Sequence, residues 1–198
     1  MPRLSFRYIQ YKRGVPIMKL TEMESPYGIK NADILFIALN PPIQSNRNGH
    51  YFSGKGSQFY KRLFESGLIT KEVSKDLGDE KVFGSNAYNY QNKIYSVIDA
   101  VPYTEETDSR KVRIGKSDYE NLLFRLEELD AKNIVLMHSR VSSVFERREK
   151  IKISYGNNGK ILLSHGIHAN IIKVPFPNGS SIKKEVVIRS YADIKELL

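Results

Sequence analysis

The sequence predicts a three-layer α/β/α sandwich built on a central, mostly parallel four-stranded sheet. Three observations carry this expectation. Apolar runs of strand length stand at 33–39, 94–101 and 133–139, segments of helical periodicity lie between them, and no Pro/Gly/Ser-rich linker divides the 198 residues, 40% of which are hydrophobic. An unbroken apolar run, unlike an alternating one, marks a strand covered on both faces, and strands that alternate with helices give layered α/β folds.

In chain order, residues 1–30 form a basic extension of a single domain spanning 1–198. Residues 33–39 are the first strand. Residues 57–67 read as a helix with Phe59, Leu63 and Phe64 on one face, Ser57 as N-cap and Gly67 as stop. The polar stretch 68–92 takes no assignment. IYSVIDAV, 94–101, is a second strand ended by Pro102. Ser117 to Asp130 carries Leu122, Leu123, Leu126 and Leu129 at helical spacing, with Ser117 and Glu120 spaced as a capping box. NIVLMHS, 133–139, is the third strand, 140–150 a helix, 160–164 and 168–175 strands, and 182–197 a last helix begun by Ser180 or Ser181. Ligands of such folds sit at the carboxyl ends of the strands. Asn40, Asp99, Ser139 and Pro177 all fall at or just beyond those ends.

Thirty-one Lys and Arg against 22 Asp and Glu leave a formal charge of +9, which suits a polyanionic partner bound in a salt-sensitive way. The absence of cysteine excludes disulfides and thiolate-held clusters. Four His, at 50, 138, 165 and 168, have no metal-ligand spacing, so no metal is expected. No run approaches the roughly 20 apolar residues of a membrane span, and the N-terminus has no signal-peptide core. A monomeric, cytoplasmic protein is expected.

The richest segment is ADILFIALNPPIQSNRNGHYFSGKGSQFYKRLFESGLIT, 32–70. It resembles the first motif of the uracil-DNA glycosylase superfamily, most closely the mismatch-specific (thymine/uracil) branch, where a strand ends in Ile-Asn-Pro-Gly and Gly-x-x-Phe/Tyr follows. The spacing from Asn40 to Gly49 agrees without a gap. The resemblance implies that Asn40 holds the attacking water, that Phe52 stacks on a base flipped from DNA, and that Tyr51 and His50 wall the pocket. Ser45, Ser53, Gly54 and Lys55 then fall where DNA is contacted. Against this, Asn-Pro is a common turn, and the loop aromatics would also serve as a core cover.

VPFPNGSSIKKE, 174–185, resembles the family's second motif, a Pro-x-Pro-Ser-Gly loop that enters the minor groove. It implies DNA contacts at Gly179, Ser180, Ser181 and Lys183, base contacts at Phe176 and Asn178, and Ile182 as the nearest apolar wedge. Phe176 replaces the family's His or Asn, and Asn178 its Ser. An ordinary strand-to-helix turn is the alternative.

YSVIDAVPYT resembles the strand whose polar residue reads the pyrimidine edge. One alignment puts Asp99 at that position and another Val97. An amide serves both a ring N–H and a carbonyl, whereas a carboxylate only accepts and suits the exocyclic amino group of cytosine. Capping of a strand end is the structural alternative for Asp99.

The resemblance implies a monofunctional glycosylase that needs no cofactor and leaves an abasic site in DNA. Asp99 suggests a modified cytosine, such as phage hydroxymethylcytosine derivatives, and hence antiviral defence. The family's repair of uracil or mispaired thymine is one alternative, and a non-catalytic DNA-binding module on the same scaffold is another. Gly49 to Gly56, GHYFSGKG, also approaches a phosphate-binding loop, but Gly56 stands where the magnesium-binding hydroxyl belongs. Basic ERREKIK, 146–152, reads as a solvated face.

Overall fold

The computed structural model describes residues 11, 12, 15, 16, 18–23, 25–178 and 181–198. Five strands form the main sheet: β1 (Ile34–Ala38), β2 (Tyr95–Asp99), β3 (Asn133–Leu136), β4 (Gly156–Leu162) and β5 (His168–Lys173), in the spatial order β2-β1-β3-β5-β4. The first four in that order run parallel, and β4 closes one edge antiparallel to β5. A short antiparallel pairing of Tyr11–Lys12 with Val15–Pro16 lies apart from it.

The sheet therefore has five strands rather than the expected four. The segment expected at 160–164 pairs over 156–162 instead. Its sequence, GNNGKIL, alternates between half-buried and exposed because only one side packs, and a register shift separates Asn157 from Lys160. Two glycines and two asparagines hide such an edge strand from a search for apolar runs.

β1 is buried along its whole length, as its unbroken apolar run implies. Alternation sends Leu35 and Ile37 to one face and Ile34 and Phe36 to the other. Helices α4 (Lys116–Glu128) and α5 (Ser139–Glu149) cover the first face with Leu122, Leu126, Val141 and Phe145. Helices α2 (Phe59–Glu65), α3 (Gly78–Val82) and α6 (Lys184–Ala192) cover the second with Phe59, Leu63, Val82, Val187 and Tyr191. A six-residue helix, α1 (Ile43–Asn48), follows β1 directly. No helix of the described residues is long and apolar enough to cross a membrane.

The helix starts differ from the expected ones. Gln58, not Ser57, is the N-cap of α2, and its N–H is held by Asn178 Oδ1 at 2.9 Å. Gly67 does end that segment, in the left-handed region at φ 72°. For α4 the Ser117 box is replaced by the Gly115 N–H donating to Asp118 at 2.7 Å. The last helix begins after Lys183, so Ser181 lies outside it.

Candidate active site at the carboxyl ends of the strands

The loops after β1, β2, β3 and β5 enclose a cavity of about 560 Å³. Asn40, Ser45, Tyr51, Phe52, Gly54, Lys55, Asp99, Phe176 and Asn178 all line it, together with His138, Glu106, Thr107, Ser109 and Gln44. A cavity of similar size at the amino ends of β3 and β5, beside His165 and Lys160, contains none of the motif residues.

Asn40 sits two residues past β1 and is 7% exposed. Its Nδ2 donates to the carbonyl oxygens of Pro41 (3.2 Å), Thr104 (2.9 Å) and Glu106 (2.8 Å). Three acceptors fix which end of the amide is nitrogen. Oδ1 consequently faces away from them with no donor among the described residues, free to accept a hydrogen bond from water. The same 104–107 segment anchors α1, since Thr107 Oγ1 accepts from the Ile43 N–H at 3.2 Å.

Gly49 terminates α1 in the left-handed region, φ 72°, and turns the chain into the aromatic cluster. Asp79, fully buried in α3, accepts from the Tyr51 N–H at 2.8 Å and lies 3.0 Å from His50 Nδ1. The Tyr51 carbonyl accepts from the Tyr60 hydroxyl at 2.8 Å. Gly78 leaves room for the Tyr60 ring, which a Cβ there would approach to 2.4 Å. Phe52 has φ 56°, a left-handed backbone that costs free energy in a non-glycine residue. Its ring lies 4.0 Å from that of Phe59 with 26° between planes, so one face is stacked within the protein and the ring still borders the cavity. That is a platform for a flat ligand.

Asp99 ends β2 opposite Ala38 in the parallel register, 1% exposed. Its Oδ2 is buried without a hydrogen-bond partner among the described residues. Burial pushes its carboxyl up to about 7, opposed by a hydrogen bond from Tyr51 and by the Arg125 charge. Val97, the alternative reader, is fully buried in the core beside Phe36 and does not reach the cavity.

His138 was absent from the expected site, where Ser139 stood at the strand end. His138 is the N-cap of α5, and its Nδ1 accepts the Arg140 N–H at 3.1 Å. Burial and Arg140 hold its pKa below the ordinary histidine value, leaving a neutral ring with its proton on Nε2. The signal for it was a polar residue ending the run NIVLMH.

Several expected contacts are engaged within the protein or lie away from the cavity. His50 is turned onto Asp79, and Ser53 donates to the His50 carbonyl at 2.8 Å while accepting from Asn48. Ser45 accepts the Gly54 N–H at 3.2 Å and so shapes the rim. Asn178 borders the cavity, and its amide joins two loops: Oδ1 takes the Gln58 N–H and Nδ2 donates to Gly56 at 2.8 Å. Ile182 packs against the α2/α6 core, Ser181 and Lys183 are exposed outside the cavity, and neither Ser139 nor Pro177 lines it. Gly179 and Ser180 lie outside the described residues. The resemblance of 49–56 to a phosphate loop fails on topology, because α1 intervenes between the strand and Gly49. Among the described residues no group of His, Cys, Asp and Glu is placed to hold a metal ion.

Compared with known families, residues 25–195 match the model of the Uracil DNA glycosylase superfamily.

Proposed function

Because the chain belongs to the uracil DNA glycosylase superfamily, whose members excise bases from DNA, we propose that it is a monofunctional DNA glycosylase acting on a non-canonical pyrimidine, with Asn40 as its water holder. The observation that carries this is the Asn40 amide, whose nitrogen is pinned by three carbonyls so that Oδ1 alone is offered to the cavity. A water accepted there is oriented with a lone pair toward C1′ of a nucleotide whose base lies on Phe52. The bond from C1′ to the ring nitrogen breaks with its electron pair going to the base, and the water oxygen bonds to C1′. The proton that the water loses ends on the departing base, leaving an abasic site. An amide is no base, so its contribution is placement, while DNA phosphates stabilise the sugar cation.

Within the family, the Asn40-to-Gly49 spacing supports the mismatch-specific branch. The unpaired Asp99 oxygen favours a base with an exocyclic amino group, which accords with a modified cytosine and a role in antiviral defence, carried out by a cytoplasmic monomer. A 560 Å³ cavity leaves room for a substituent beyond a bare pyrimidine. Repair of uracil or mispaired thymine is the alternative that the family itself favours.

The test is base release from duplex and single-stranded oligonucleotides bearing uracil, a G·T mismatch, cytosine, or 5-hydroxymethylcytosine with and without glucose. Release of a cytosine derivative alone supports defence. Release of uracil or thymine returns the protein to repair, and intact binding without any release leaves a non-catalytic module.

Phe52→Ala should raise KM for the preferred oligonucleotide by about 10- to 100-fold, matching the roughly 1–3 kcal/mol of one base stacked on an aromatic ring. An unchanged KM in steady-state kinetics would remove Phe52 from the base platform. With net charge +9, DNA affinity should also fall steeply between low and physiological salt, as phosphate contacts release counterions. Titrations at several salt concentrations with flat log–log slopes would contradict it.

A further inference from the structure

A groove of about 550 Å³ lies between α5 and the segment that leads from β2 into α4. Arg113, Arg140 and Arg147 line it together with Ser139 and Ser143, and no acidic residue does. Residues 139, 143 and 147 stand one helical turn apart, so a single face of α5 looks into the groove. Arg140 has a structural part: its Nη1 and Nη2 donate to the carbonyls of Val112 and Arg110 at 3.3 Å each, which ties the 110–113 segment to the helix. Arg113 and Arg147 are exposed, and their side chains have no hydrogen-bond or ion-pair partner among the described residues. Three like charges around one groove repel each other, and an anion seated among them removes the repulsion. The groove also shares a rim with the cavity at the strand ends. The consecutive residues His138 and Ser139 line one each, and Ser109 lines the cavity where Val112 lines the groove. A polyanion with one unit in the cavity has its next units at the groove.

We propose that this groove is a phosphate track, in which Arg113, Arg140 and Arg147 bind the backbone of the DNA strand flanking the nucleotide held in the cavity. This rests on the glycosylase reading for where the strand enters, and adds a second contact region on one side of it. Guanidinium suits the task, being planar, permanently charged and able to hold two phosphate oxygens at once. Arg140 and Arg147 are two turns apart on α5, roughly 10 Å along its axis. One strand of a duplex carries a phosphate about every 3.4 Å, so the groove spans about three phosphates. A flank that stays paired and one that runs single-stranded present the same phosphates, and the two are separated by experiment.

The experiment measures equilibrium binding, at several salt concentrations, of oligonucleotides carrying one tetrahydrofuran abasic analogue. Beyond the analogue runs a flank of one nucleotide or of about six, twice the span of the groove, on the 5′ or the 3′ side, paired or unpaired. In the wild-type protein the long flank on one side only should strengthen binding and steepen the fall of log affinity with log salt by about 3, at about 0.9 per phosphate neutralised. In Arg113→Gln/Arg147→Gln, which spares the bonds of Arg140, that added slope should drop to about 1. Lys132→Gln/Lys160→Gln removes the same charge at the amino ends of the strands and should leave it at about 3. Comparing long with short flanks within each protein cancels any general effect of charge. A gain from the paired flank alone, the unpaired flank alone or both supports the proposal and names the form of strand. A wild type indifferent to both flanks overturns it, as does an equal loss of added slope in the two double variants. Failure of the glycosylase reading would show separately, as no base release from any cleavable oligonucleotide while the flank effect persists.

Discussion

Asn40→Ala is expected to slow base release by about 10³-fold in single-turnover kinetics, the scale seen when one positioning group is removed from a preorganised site. Equilibrium affinity for DNA should change by less than about threefold, because phosphate contacts supply most of it. The variant also strands the carbonyls of Pro41, Thr104 and Glu106. Water can reach that rim, so the stability cost should stay near 1–3 kcal/mol and a thermal melt should still be cooperative. Release within tenfold of the wild type would mean that the water is held elsewhere.

Asp79→Ala should destabilise the protein by about 3–5 kcal/mol, read as a lower denaturant midpoint with an unchanged slope. Asp79 is fully buried and serves the Tyr51 N–H, His50 Nδ1 and the Glu80 N–H together. Its loss leaves donors unpaired in the interior, where the desolvation cost is greatest. The damage should reach activity as well, since the Tyr51–Phe52 wall of the cavity hangs on this carboxylate. Asp79→Asn, which keeps an acceptor for Tyr51, should lie between the two. A cost below about 1 kcal/mol in the alanine variant would show that the aromatic cluster holds itself.

How far the sequence announced this arrangement depends on burial. β1, β2 and β3 were legible because both faces are covered and the apolar runs are unbroken. Only the second half of β4 was, as a strand from 160, since it packs on one side and its first half carries GNNG. Helix α1 was equally hidden: IQSNRN has no apolar stripe, and two prolines precede it. Asn40 and Asp99 were expected from their places at strand ends and Phe52 from the motif around it, and all three line the cavity. The loop-joining bonds of Asn178 could not be read, as an amide that reads a base and one that staples two loops look the same in a sequence. His138 is inconspicuous beside Ser139 in the sequence, because only the structure shows that the helix starts at the serine and leaves the imidazole as its cap.

The triple grip on the Asn40 nitrogen also closes a chemical route. Changing that amide to a carboxylate is a small step in size, and under the proposed mechanism it would put a general base where the water holder stands. Here it would set a negative oxygen against the carbonyls of Pro41, Thr104 and Glu106, which lie 2.8–3.2 Å from the nitrogen it replaces. Three attractions would become three repulsions, and the group would escape them only by keeping a proton, which forfeits its basicity. The backbone around the cavity therefore favours a neutral side chain at position 40. A carboxylate accepted at this position would need the 104–106 loop to move its carbonyls away.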